Sequence, residues 1–190
     1  LLFSATLPKG IVQLAKRYQK DAVRISTVST GEQHADIEYR AIRVAPNDLQ
    51  HAIVNLLRYV DARGAMVFCA TREAVRRLHG NLQEKGFHAV ALSGELSQNE
   101  RNHALQALRD GRARVCIATD VAARGIDLPD LGLVIHAELP TDAATLLHRS
   151  GRTGRAGRKG VSALIVPLNA RRKAERLLQI ANLKANWPTP

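Results

Sequence analysis

Residues 65–86 read AMVFCATREAVRRLHGNLQEKG, and the period changes once along them. Positions 65–69 are apolar without a break and too few for a helix, the pattern of a strand covered on both faces. From Thr71 onward Val75, Leu78 and Leu82 recur at helical spacing, with Thr71 at the N-cap and Gly86 at the stop. A strand buried on both sides that runs straight into a helix is the building unit of a parallel sheet, because a crossover must return the chain to the same edge.

The unit recurs on either side. IEYRAIRV (37–44) alternates polar and apolar residues, as a strand with one wet face does. Asn47 is the expected N-cap of a helix carrying Ile53, Leu56, Leu57 and Val60. HAVAL (88–92) is a strand, and SQNE (97–100) is a capping box that opens a helix with Leu105 and Leu108, stopped by Gly111. RVCIA (114–118) and LGLVIH (131–136) are two more buried strands. A helix starts near Asp142, VSALIVP (161–167) is a strand, and Asn169 is the expected cap of a final helix with Leu177, Leu178 and Ile180. The fold class is therefore α/β, a parallel sheet with helices on both faces.

STVSTGEQHAD (26–36) is polar and without period, and reads as a linker. Before it stand LLF (1–3), a helix from Lys9 to about Lys20, and a possible strand AVRIS (22–26). That is too little to bury a core of its own. The expected organisation is thus a remnant of an upstream domain over 1–30 and one full domain over 31–190. The chain opens at Leu1 inside an apolar run, which predicts a piece cut from a longer protein.

Of 190 residues, 28 are Lys or Arg against 17 Asp or Glu, giving +11, a surplus that points to a polyanionic partner. No stretch approaches the roughly 18 apolar residues of a membrane span, which argues against a membrane partner. Cys69 and Cys116 lie inside apolar runs without metal or disulfide spacing, as thiols of a reducing, cytoplasmic setting do. Ligands of open α/β sheets gather at the carboxyl ends of the strands. Here those ends carry Ser4-Ala5-Thr6, Ala70-Thr71-Arg72, Ser93-Gly94-Glu95 with Arg101 beyond it, and Thr119 to Asp127. The loop HRSGRTGRAGRKG (148–160) adds arginine and glycine at every third position. Such a segment is either a disordered basic tail or a bent loop whose guanidinium groups reach phosphates; lying between two regular elements, it reads as the loop. Hydroxyls, helix starts and arginines on one edge make a phosphate-binding rim.

ATDVAARGIDLP (118–129) and HRSGRTGRAGR (148–158) resemble motifs V and VI of the DEAD-box RNA helicases. SAT (4–6) resembles motif III, MVFCATR (66–72) motif IV, and LSQNER (96–101) the short motif between IV and V. The similarity runs from Leu1 to about Pro167 in the family's order. It implies the second RecA-like domain of an ATP-dependent helicase, preceded by the end of the first. The resemblance implies that Arg152 and Arg155 reach the γ-phosphate of ATP, that Asp127 accepts a hydrogen bond from the ribose, and that Gly125 lets the backbone pass close to the nucleotide. It makes Thr71, Gly94, Arg101 and Thr119 contacts to the RNA backbone, and Ser4, Thr6, Arg124 and His148 the coupling to the first domain. No GxxxxGK[ST] loop and no DEAD tetrapeptide occur in these residues, so the Mg²⁺ ligands are expected in the first domain and the isolated chain is expected to be inactive as an ATPase. Ser93-Gly94-Glu95 stands where the family often has His-Gly-Asp.

The RNA contacts implied are hydroxyls, an exposed N–H and a cation, none suited to reading base edges, so binding is expected to be sequence-independent and salt-dependent. Aromatics are 4% of the chain and none adjoins these motifs, which argues against base stacking as the main grip. A remodeller acting on DNA and a non-enzymatic nucleic-acid module remain as alternatives; the latter leaves Asp127 and the paired arginines unexplained. The orphaned strand at residues 1–3 further predicts self-association through residues 1–30, since an unpaired edge seeks a partner.

Overall fold

A computed structural model describes residues 9–18, 36–126, 128, 131–155 and 157–188. The chain divides into two compact units, Leu1–Glu32 and Gln33–Pro190. In the first, α1 spans Lys9–Tyr18, and the expected end near Lys20 lies outside the described residues. The strands expected around LLF and AVRIS lie outside the described residues, as does the edge invoked for self-association.

In the second unit the order is β1 (Ile37–Val44), α2 (Leu49–Val60), β2 (Ala65–Phe68), α3 (Arg72–Glu84), β3 (Ala89–Leu92), α4 (Gln98–Arg109), β4 (Val115–Ala118), α5 (Asp120–Ala123), β5 (Leu133–His136), α6 (Ala143–Ser150), β6 (Gly160–Pro167), α7 (Arg171–Ile180) and β7 (Ala185–Asn186). All pairings are parallel, and the sheet runs β3-β4-β2-β5-β6-β1-β7. Side chains alternate across it. Val67, Ile117, Leu133, Ile135 and Ile165 join the α2 and α3 side chains on one face. Met66, Phe68, Cys116 and Val134 meet α4 and α5 on the other, where Leu164 and Val166 also meet α6 and α7. Burial on both faces is why β2 and β4 are wholly apolar, while β5 and β6 each bury one polar residue, His136 and Ser162. Cys69 and Cys116 are both buried and unbridged, and burial pushes each thiol up to about 12. No described helix is long and apolar enough to cross a membrane.

Thr71 caps α3 by accepting the Ala74 N–H at 3.1 Å, and Ser97 and Glu100 close the expected capping box at α4. Two expected caps are corrected. Asn47 and Asn169 lie within 3₁₀ turns, Pro46–Asp48 and Leu168–Ala170, and α2 and α7 start beyond them at Leu49 and Arg171 with no side-chain cap. The cause is local: Pro46 and Pro167 fix the entry angle, and turn carbonyls take up the first N–H groups that an Asn side chain would otherwise serve. Neither the single turn of α5 nor the two-residue β7 was expected, both being too short to carry a period.

The arginine loop is packed. Thr153 is 1% exposed, bridges to Leu131 and donates its hydroxyl to the Leu131 carbonyl. Gly154 has φ +64° and stands against Ile37; Gly160 stands against Thr153, where an added Cβ would come within 2.7 Å of the Gly154 nitrogen. The glycine spacing thus serves close approach of the loop to the starts of β1 and β6. Gly160→Ala is expected to cost about 2 kcal/mol by overpacking against backbone, read as a lower urea midpoint at unchanged slope.

Candidate functional site

The strand order decides which loops meet. β3, β4 and β2 are neighbours in register, with Leu92 beside Ala118 and Ala118 beside Phe68. Gly94, Thr119 and Thr71, which follow these strands, therefore share one edge. Each threonine caps the helix it opens; the Thr119 hydroxyl accepts from the Ala122 N–H at 3.4 Å. Glu95, next to Gly94, ties that loop to the first residues of α3, accepting from Arg76 at 2.7 Å and from Arg72 at 3.2 Å. Those bonds, Arg76 first, hold the exposed Glu95 carboxyl below its usual range.

Residues 119–126 form the centre. Arg101, on the first turn of α4, is half-buried and donates through Nη2 to the carbonyls of Ala122 at 2.8 Å and Arg124 at 3.4 Å. From the other side Arg149 donates to both carboxylate oxygens of Asp120 at 2.7 Å each and to the Glu138 carbonyl at 3.1 Å, with its guanidinium over the Phe68 ring at 5.1 Å. Arg152 donates to the Ile126 carbonyl at 3.1 Å. Three arginines thus grip one short segment. Gly125 within it has φ +65° and open space around it.

The arginines of the loop sort by depth. Arg149 is 5% exposed, Arg152 half-buried, and Arg155 exposed with its Nε donating to the Gly151 carbonyl at 2.6 Å. Burial, and then the nearby Arg155 charge, pull the Arg152 guanidinium below its usual value. Two cations brought close with one partly desolvated attract an anion placed between them, and the planar forks suit phosphate oxygens. Arg124 and His148 are exposed near the same rim, and so is Val121, a large apolar side chain. Asp127, Ser4 and Thr6 lie outside the described residues.

A helicase conserved C-terminal domain matches residues 48–157, and the Escherichia coli ATP-dependent RNA helicase SrmB is 42% identical over 173 residues, 87% of this chain and 38% of that protein. The crystal structure of E. coli SrmB bound to regulator of ribonuclease activity A superposes with a TM-score of 0.73 at 35% identity, covering 81% of this chain and 91% of that one. The chain belongs to the DEAD-box RNA helicases, as their C-terminal domain. Saccharomyces cerevisiae Dbp5 bound to RNA and ADP BeF3 superposes with a TM-score of 0.84 at 30% identity over 98% of this chain and 50% of that one, so the sheet is RecA-like. The chain spans between 30% and 41% of the curated DEAD-box relatives it matches.

Three features of this DEAD-box domain escape the sequence reading. The first is the inward course of Arg149; its signal is the shared helix face with Leu146, one turn earlier. The second is Glu138, which accepts the Ala70 N–H at 3.0 Å and whose carboxyl is raised chiefly by burial. The third is a buried polar cluster beneath α6. His136 Nε2 lies 3.0 Å from the Ser162 hydroxyl, which lies 2.8 Å from that of Ser150, while Nδ1 has no hydrogen-bond partner among the described residues. Burial, reinforced by the Arg149 charge, lowers the imidazole to about 3. The unfolded chain therefore takes up a proton below about pH 6.5 that the folded chain refuses until about pH 3, and stability falls as pH drops through that window. From pH 6.5 to 5 the loss is about 1.5 kcal/mol, and His136→Asn is expected to flatten this limb in urea titrations at stepped pH.

Proposed function

We propose that the chain is the C-terminal motor half of an ATP-dependent RNA helicase, gripping the RNA backbone on one side of its rim and presenting arginines to ATP on the other. The observation that carries this reading is the segment 119–126, held at once by Arg101, Arg149 and Arg152. A segment tied to both sides can transmit occupancy of one to the other, which a passive binding module does not need. On this reading Thr71, Gly94, Arg101 and Thr119 meet the sugar-phosphate backbone, Gly125 and Asp127 meet the nucleoside, and Arg152 and Arg155 stabilise the charge that develops on the transferred phosphoryl group. Dbp5, similar in fold, is bound to RNA and ADP BeF3.

Residues 1–30 are the end of a first RecA-like domain on this reading; Ser4 and Thr6 belong to its side of the interdomain coupling, Arg124 and His148 to the other, and the exposed Val121 suits the same role. The two guanidinium groups suit a phosphate. Mg²⁺ would take its ligands from that first domain. The isolated chain then supplies fingers without a phosphate loop and turns over no ATP. Two buried thiols fit a reducing, cytoplasmic setting.

Equilibrium binding by the complete protein to RNA and to DNA of matched sequence, across a salt series, tests the reading. It predicts tighter RNA binding, indifference to base sequence, and a steep fall of affinity with salt. Equal affinity with turnover stimulated by DNA would point to a DNA remodeller instead.

A further inference from the structure

The C-terminal ends of the strands carry the rim described above, but a second concavity lies at their beginnings. A cavity of about 340 Å³ is floored by Leu57, Ala65, Phe87, Val115 and Leu133, where Ala65, Val115 and Leu133 are the first residues of β2, β4 and β5. A second, of about 410 Å³, shares Gly86, Phe87 and His88 with it and continues past Ala89 and Val90 at the edge of the sheet. Together they form a trough rather than a closed chamber. Its volume is in the range of ligand pockets.

The border of the trough is basic. Arg58, Lys85, His88, Arg112 and Arg114 line the two cavities, against Asp61 as the one acid among the lining residues. Asp61 is already taken by Arg114, whose Nη2 donates to its carboxylate at 2.8 Å and to the Ala62 carbonyl at 2.8 Å. Arg112 is paired with Asp110 at 3.0 Å. Arg58 lies over the Phe87 ring at 5.8 Å, and Lys85 and His88 are exposed without an ion pair among the described residues. The surplus is positive, and it surrounds an apolar floor.

We infer that this trough is a docking site for a protein partner, taking an extended acidic segment that carries aromatic or aliphatic side chains. The apolar floor accepts those side chains, and the basic border accepts carboxylates that flank them. A nucleic-acid backbone brings nothing apolar to the floor. A compact inorganic anion fills neither cavity. Each strand between trough and rim spans four residues, about 10 Å from first to last Cα, so a partner here leaves the opposite rim accessible.

The test is fluorescence anisotropy of a labelled peptide of alternating glutamate and phenylalanine, titrated with the complete chain. Saturable binding is expected, with amide NMR shifts at Phe87 and His88, and with little binding of the counterpart carrying lysine for glutamate. Arg58→Glu combined with Lys85→Glu, both exposed positions, is expected to weaken the peptide by at least about tenfold while circular dichroism is unchanged. Undiminished binding by that variant, shifts confined to residues 119–126, equal affinity for the lysine peptide, or competitive displacement by single-stranded RNA would each overturn the assignment.

Discussion

Arg155→Ala in the complete protein is expected to lower RNA-stimulated ATP hydrolysis by about 10³-fold or more, with the fold intact. The size follows from the chemistry: charge spreads over the phosphoryl oxygens as the bond to the leaving group lengthens, and a fixed guanidinium at that point has no water to replace it. The intactness follows from the geometry. Arg155 is exposed, and its side chain contributes one bond, to the Gly151 carbonyl at 2.6 Å, so truncation opens no cavity. Arg155→Lys keeps the charge but not the fork, and is expected to recover little. Arg152→Ala should reduce turnover as well, yet with a loss of stability that Arg155→Ala lacks, because Arg152 is half-buried and holds the Ile126 carbonyl. The comparison is made by steady-state turnover at saturating RNA alongside urea unfolding. Turnover untouched in Arg155→Ala would remove that residue from the site.

Asp120→Ala should instead be a stability variant first. The carboxylate faces Arg149, which is 5% exposed, and removing it strands a buried cation whose remaining partners are a carbonyl and an aromatic face. Breaking such a pair from one side costs about 3 kcal/mol, less than for a fully enclosed pair because Asp120 itself keeps 35% of its side-chain surface in water. The midpoint of urea unfolding reports it, and Arg149→Met, which removes the charge along with the partner, is expected to lose less than Asp120→Ala. Equal stability of Asp120→Ala and the wild type would mean that the bridge seen at 2.7 Å contributes nothing.

Much of this molecule could be read before any coordinates. A parallel strand covered on both faces is apolar almost throughout, so VCIA and the first three residues of LVIH were plain, and Thr71 and the Ser97–Glu100 box marked helix starts because an unserved N–H needs a side-chain oxygen. Asn47 and Asn169 misled because a proline-led 3₁₀ turn does the same job with backbone. Strand order was not legible. Nothing local states that β4 inserts between β3 and β2, yet that insertion brings Gly94, Thr119 and Thr71 to one edge. The arginine loop divides the same way. Its charge and glycine spacing were on the page, and with them the expectation of a bent loop. The different fates of Arg149, Arg152 and Arg155 depend on how α6 is rotated against Phe68 and Asp120, which are 81 and 29 residues away in sequence from Arg149.

The pH limb set by His136 and the packing of Gly160 against Thr153 bear on the scaffold. The role of the rim is read from ATP hydrolysis by the complete protein, measured with and without single-stranded RNA. Turnover that rises strongly with RNA and saturates with it is the predicted result. Turnover that is the same with and without RNA would contradict the account, leaving a RecA-like domain whose arginines serve something other than an RNA-driven motor.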